Sequence, residues 1–160
     1  KYDMIARGIL VVTNQKGFFR FMTDALAYLR QKQETGGFNE LVNMHVRTVR
    51  EGYAEIELPA SPNNLNGLGN AHGGAIYSLC DVAAGTAAAS RGRVGVTLNA
   101  SIQYLRPGKG GLALFAKTRE IKHGRSTAIY NVIVTDETGT EIADATFTMF
   151  YIGDCAELLK

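Results

Sequence analysis

Apolar residues recur along the chain with distinct periods, and each period predicts a different element. Over residues 17–33, Phe18, Phe21, Met22, Ala25, Leu26 and Leu29 return at steps of three and four. That spacing predicts an amphipathic helix, closed by the Gly36-Gly37 pair. Residues 5–13 fit either a short helix or a strand. Residues 44–49 and 53–58 alternate apolar and polar side chains about Arg50-Glu51-Gly52, the pattern of a β-hairpin. A loop rich in Pro, Asn and Gly follows over 59–70. Residues 72–90 have helical length and helix formers but almost no polar face, and a helix apolar nearly all round is a buried one. Alternation then returns over 96–105, 112–122, 126–135 and 141–152. Pro107-Gly108, His123-Gly124-Arg125 and the 136–139 segment join these runs with turn chemistry. The order predicts an α+β fold in which an antiparallel sheet wraps one central helix, with an extra N-terminal helix in front.

Length and composition narrow the class without choosing a function. A chain of 160 residues fits one domain whose core needs no disulfide or metal staple. The expected division is an N-terminal helical extension over 1–37, the main domain over 38–155 and a short tail over 156–160. Cys80 and Cys155 could form one bridge at most, and Cys80 sits in an apolar run, which favours a reduced setting. The expected location is intracellular, cytoplasmic or mitochondrial. The chain begins at Lys1 rather than Met, which leaves a preceding targeting segment open. A formal charge of +2 spread evenly along the chain argues against nucleic acid as a partner. No apolar stretch of about 18 residues is free of charge, so no membrane span is expected. Eighteen glycines are many for this length.

Chemistry concentrates in the central helix. Asp81 lies two turns into an apolar segment, where an unpaired carboxylate costs several kcal/mol in desolvation. Two readings are open: a carboxylate satisfied by a neighbouring hydroxyl or backbone group, or a general base or nucleophile. Gly73-Gly74 stand where the helix begins. Unpaired N–H groups and the positive end of the dipole lie there, and glycine admits a ligand close to the backbone. That pair is either a plain loop-to-helix junction or an oxyanion-type site. Eight residues of helix separate Gly73 from Asp81 by about 12 Å. One chain therefore cannot present both to the same carbon. If both are catalytic, two antiparallel copies of the helix must face each other across a twofold axis. His72 could orient a substrate or cap the loop, and no second ligand at useful spacing accompanies it, so no metal is expected. Cys80 points about 100° away from Asp81 and reads as a small buried thiol.

Asn66-Gly67-Leu68-Gly69-Asn70-Ala71-His72-Gly73-Gly74, with Asp81 downstream, resembles the hotdog-fold acyl-CoA thioesterases of the phenylacetate-degradation (PaaI-type) branch. The 95–99 and 103–108 segments, the His123-Gly124-Arg125 turn and the final strands match the same pattern, over roughly residues 40–152. The resemblance implies a hotdog fold and an acyl-CoA substrate, fatty or aryl, hydrolysed by activated water without a separate cofactor. It implies a homodimer at minimum, with a homotetramer expected. Asp81 would be base or nucleophile, and the Gly73 N–H would polarise the thioester carbonyl in the partner's site. Asn66 would position water or thioester, His72 would support it, and Thr97 would stand as the hydroxyl residue near the carboxylate. Tyr104, Arg106, Pro107 and Lys109, together with Lys122, His123, Gly124, Arg125 and Ser126, fall where the family grips coenzyme A. The basic residues among them suit a phosphorylated nucleotide.

Two competing functions remain at this point. A hydratase or dehydratase of acyl thioesters needs a His and an acid about the acyl α and β carbons, and beyond His72 none is paired. A non-catalytic acyl-CoA-binding or sensing module has no need of a buried carboxylate beside an acyl group. The N-terminal extension either packs on the outer sheet or lines the acyl tunnel or the assembly.

Overall fold

The computed structural model describes residues 37–155, together with Val12–Thr13, Phe19–Arg20 and Gln31. The first two pairs form short strands, β1 (Val12–Thr13) and β2 (Phe19–Arg20), joined antiparallel. Of the helix expected over 17–33, Phe19–Arg20 are strand and Gln31 is helical, and the rest lies outside the described residues. So does the tail 156–160.

A short helix, α1 (Gly37–Leu41), leads into the hairpin β3 (His45–Arg50) and β4 (Tyr53–Leu58). After a 3-10 turn at Pro62–Asn64 comes α2 (Gly73–Ala89). Four long strands follow: β5 (Arg93–Tyr104), β6 (Leu114–His123), β7 (Thr127–Asp136) and β8 (Glu141–Asp154). They form one antiparallel six-stranded sheet in the order β3-β4-β6-β7-β8-β5. Strand β5 is thus an edge, hydrogen-bonded only to β8 among the described residues.

Helix α2 packs on the inner face of this sheet and touches β4 through β8. Its core side is built from Leu79, Cys80, Ala83, Ala84, Ala87 and Ala88, all fully buried. Alanine there keeps the helix axis close to a curved sheet; a Cβ at Gly95 on β5 would already stand 3.3 Å from the Ala88 methyl. Opposite lie Ile56, Tyr130, Val132, Val134 and Phe147, also fully buried, from alternate positions of their strands. The helix is not buried on all sides, however. Gly74, Tyr77, Ser78, Asp81, Val82 and Gly85 form a stripe along it that stays partly open.

A β-bulge in β5 decides what that stripe meets. Thr97 pairs with Met149, but Asn99 pairs with Thr148, so Leu98 is the extra residue. The bulge changes the parity of the strand. Thr97 takes the helix side of the sheet beside buried Met149, whereas Ala100, Ile102 and Tyr104 take that side after it, opposite Phe147, Ala145 and Ala143, with Tyr104 still 51% exposed. Val96 and Leu98 turn out to solvent, 45% and 63% exposed. Simple alternation would have placed them in the core with Ala100 and Ile102.

Candidate active site

The start of α2 is held from four directions. His72 caps it, its Nδ1 accepting the Gly74 N–H at 2.9 Å, which assigns the ring proton to Nε2. The His72 carbonyl accepts the Ile76 N–H at 3.1 Å, and its own N–H donates to the Asn64 carbonyl at 2.7 Å. The Tyr104 hydroxyl donates to the Gly73 carbonyl at 2.9 Å. The Gly73 N–H has no hydrogen-bond partner among the described residues. Because the His72 carbonyl is turned into the helix, the trans peptide aims that N–H out of the helix end.

The preceding loop is clamped to the turn after β5. The Ala71 N–H donates to the Gly108 carbonyl at 2.7 Å, and Asn70 bridges Lys109. A Cβ on Gly110 would lie 2.2 Å from the Gly69 carbonyl oxygen, so only glycine admits this approach. Asn66 closes the loop on itself: its Oδ1 accepts the N–H groups of Leu68 at 2.9 Å and Asn70 at 3.2 Å. That leaves its Nδ2 as the group free to meet a substrate.

Two turns along α2, the Thr97 hydroxyl donates to Asp81 Oδ1 at 2.5 Å. The carboxylate is half-buried rather than enclosed, and its second oxygen has no hydrogen-bond partner among the described residues. Between Gly73 and Asp81 stands Tyr77, 37% exposed, its ring tilted on Phe147 at 5.4 Å. Cys80 is fully buried. Burial pushes its thiol up to about 12, with the Asp81 and Asp144 charges adding to the effect. It stays protonated and is no nucleophile at neutral pH. Along the helix, Gly73 and Asp81 are separated by about 12 Å.

The segments that the resemblance assigns to coenzyme A do not converge in one chain. Tyr104, Arg106, Pro107 and Lys109 lie at the end of the sheet where α2 begins, with Arg106 Nη1 donating to the Glu141 carbonyl at 3.0 Å. Lys122, His123, Gly124, Arg125 and Ser126 form the β6–β7 turn at the other end. There His123 Nδ1 meets the Tyr151 hydroxyl at 2.8 Å, and Ser126 and Thr127 carbonyls accept the Tyr151 and Gly124 N–H groups, both at 2.9 Å. The register along β8, from Ala143 beside Tyr104 to Tyr151 beside Ser126, separates the two groups by about 26 Å. Lys122 and Arg125 are exposed. Among the described residues no three His, Cys, Asp or Glu side chains converge as a metal-ligand set, and no helix is long and apolar enough to cross a membrane.

Sequence reasoning missed two site residues as they stand here. Tyr104 was visible only as part of a coenzyme A segment, and its hydroxyl is engaged at Gly73. Tyr77 gave no signal, because an aromatic residue in an apolar helix reads as core.

A sheet wrapped on a single helix in this way is the hotdog fold, and the relatives of this chain place it in the class of thioester hydrolases. The family described as the thioesterase superfamily matches residues 68–143. A putative esterase of Archaeoglobus fulgidus is 31% identical over 115 residues, 72% of this chain and 75% of that protein. The acyl-coenzyme A thioesterase PaaI of Escherichia coli is 30% identical over 103 residues, 64% of this chain and 73% of that protein. A solved PaaI structure from E. coli superimposes with a TM-score of 0.73, covering 81% of this chain and 97% of that one at 25% identity. A hypothetical thioesterase of Streptococcus pneumoniae solved with coenzyme A is 38% identical, with a TM-score of 0.67 over 70% of this chain and 90% of that one. Mutant structures of the S. pneumoniae protein alter an aspartate and a threonine sixteen positions apart, the separation of Asp81 and Thr97 here. The chain belongs to the thioesterase superfamily, as a hotdog thioesterase of the PaaI type.

Proposed function

We propose that the protein hydrolyses fatty or aryl acyl-CoA to free acid and coenzyme A, at sites shared between two copies of the chain. The observation that carries this reading is the Asp81 carboxylate, held at one oxygen by Thr97 and lying on the partly open stripe of α2. Its other oxygen takes a proton from water as the water oxygen attacks the thioester carbon. The carbonyl oxygen, as it gains charge, is stabilised by the outward Gly73 N–H of the second copy. The carbon–sulfur bond then breaks, and the thiolate leaves with the proton that Asp81 held. Asn66 Nδ2 and the capped His72, on the loop beside Gly73, orient the substrate.

The 12 Å gap and the nature of the β5 edge support sharing. Residues 94–104 carry no charge, and none of the usual devices against strand pairing protects that edge apart from the bulge. Pairing two β5 edges antiparallel about a twofold axis sets two α2 helices side by side and antiparallel, so that Gly73 of one copy faces Asp81 of the other. The same symmetry brings the Tyr104–Lys109 end of one chain toward the Lys122–Ser126 end of its partner, and a nucleotide could then span both.

The test is thiol release from acyl-CoAs running from acetyl to palmitoyl, plus phenylacetyl. Asp81→Asn is expected to lower kcat by about 10²–10⁴-fold while acyl-CoA still binds. Full activity in that variant refutes the mechanism, and an active monomer by light scattering refutes the shared site.

A further inference from the structure

We propose that Tyr104 is a positioning residue, whose hydroxyl on the Gly73 carbonyl fixes the direction of the Gly73 N–H. This rests on the reading of that N–H as the donor to the thioester carbonyl. A glycine has no side chain to anchor it, and its two backbone dihedrals are the least restrained of any residue. The first turn of a helix also lacks the hydrogen bonds that hold later turns. A lone outward N–H at Gly73 therefore needs its neighbours to define its aim.

Each neighbouring peptide group is gripped separately. The peptide before Gly73 is tied by its carbonyl to the Ile76 N–H. The peptide after Gly73 is tied at both ends, its N–H to His72 Nδ1 and its carbonyl to Tyr104. His72 is the residue next door, so its bond keeps the turn tight without relating it to the rest of the molecule. Tyr104 sits on β5, thirty-one residues away, and is the side chain that ties this turn to the sheet. Its ring supports the same spot: a Cβ on Gly73 would be in van der Waals contact with it, 3.4 Å from the ring carbon that bears the hydroxyl. The parity change at Leu98 is what turns Tyr104 inward to make this contact. Burial raises the phenol above its ordinary range, so it remains a donor over any practical assay pH.

The experiment pairs kinetics with an observable that needs no turnover. Tyr104→Phe keeps the ring against Gly73 and deletes only the hydroxyl. Removing an oxyanion donor outright costs on the order of 10²–10³ in kcat, and loosening its aim is expected to cost about tenfold. The expected result is that loss in kcat with KM unchanged, on the acyl-CoA that the wild type turns over fastest. With a carbon-13 label at the thioester carbonyl, bound to an Asp81→Asn background, adding Tyr104→Phe is expected to move the carbonyl stretch back toward its solution value. In the free protein, the Gly73 and Gly74 amide resonances are expected to shift and broaden. Unchanged kcat, or a raised KM at constant kcat, overturns the proposal, the latter by making Tyr104 a coenzyme A contact. Unchanged amide resonances overturn it regardless of activity. A wild type inert toward every acyl-CoA sinks the functional reading instead, and the amide spectra still decide whether Tyr104 sets Gly73.

Discussion

Thr97→Val probes the Asp81 site with little disturbance to the fold. Valine has the shape of threonine, shares its preference for strands, and stands at an exposed edge position. The Met149 sulfur, 3.6 Å from the hydroxyl oxygen, accepts a methyl without loss. What disappears is one short hydrogen bond to a carboxylate. Such charged bonds are worth about 1.5–3 kcal/mol, and solvent access puts this one at the lower end. If the bond holds Asp81 in the orientation that attack requires, about 1.4 kcal/mol converts to a tenfold fall in kcat/KM. Thr97→Ser keeps the hydroxyl and is expected to lie within about threefold of wild type by the same conversion. Thiol release measures both, and thermal melting checks that each variant is folded. Thr97→Val at wild-type kcat/KM would show that the Thr97–Asp81 bond plays no part in the reaction.

Three further expectations follow from contacts away from the carboxylate. Gly110→Ala forces a Cβ against the Gly69 carbonyl, which is backbone and cannot swing aside; a loss of about 1–3 kcal/mol, read as a lower Tm, is expected, and an unchanged Tm refutes the clamp. The Thr138 hydroxyl, with the Thr140 and Thr138 N–H groups and the Lys109 charge, holds the Asp136 carboxyl below its ordinary value. Its stabilisation is therefore complete above the unfolded value of about 3.9 and is lost as pH falls through the lower folded value. Asp136→Asn is expected to lower stability at pH 7 and flatten the acid loss, and an unaltered acid limb refutes this. Cys80 and Cys155 are both buried, with thiols raised mainly by burial, so a disulfide reagent at pH 8 should modify neither until guanidinium unfolds the chain. One rapidly reacting thiol in the folded protein contradicts that placement.

Strong periodicity and turn chemistry made most of the sheet legible. The hairpin at Arg50-Glu51-Gly52, the central helix and the four long strands appear within a few residues of their expected bounds, because each carries many side chains obeying one period. Helix α1 escaped notice because five residues hold too few side chains to display a period. The bulge at Leu98 is a different kind of failure. Val94, Val96, Leu98, Ala100 and Ile102 alternate without interruption, so the text of the strand conceals the change of face. The site divides the same way. Asp81 and Gly73 announce themselves by being out of place, a charge and a missing side chain in an apolar helix. Tyr104 on Gly73 is a long-range contact between ordinary residues, and local pattern holds no record of it.

The uncharged 94–104 stretch of β5 also bears on a chain that has not yet met the second copy proposed above. Val-Gly-Val-Thr-Leu, at positions 94–98, is a short run of strand formers with open backbone groups and two outward aliphatic side chains. Any extended polypeptide can add to such an edge, including the same segment of a partly folded sister. If copies assemble through β5 as proposed, correct assembly is a race between two bimolecular events that share one surface. Slow synthesis at low temperature, or co-expression with a chaperone, should raise the soluble yield. A charge placed at Leu98 should raise the solubility of single chains while abolishing their ability to pair.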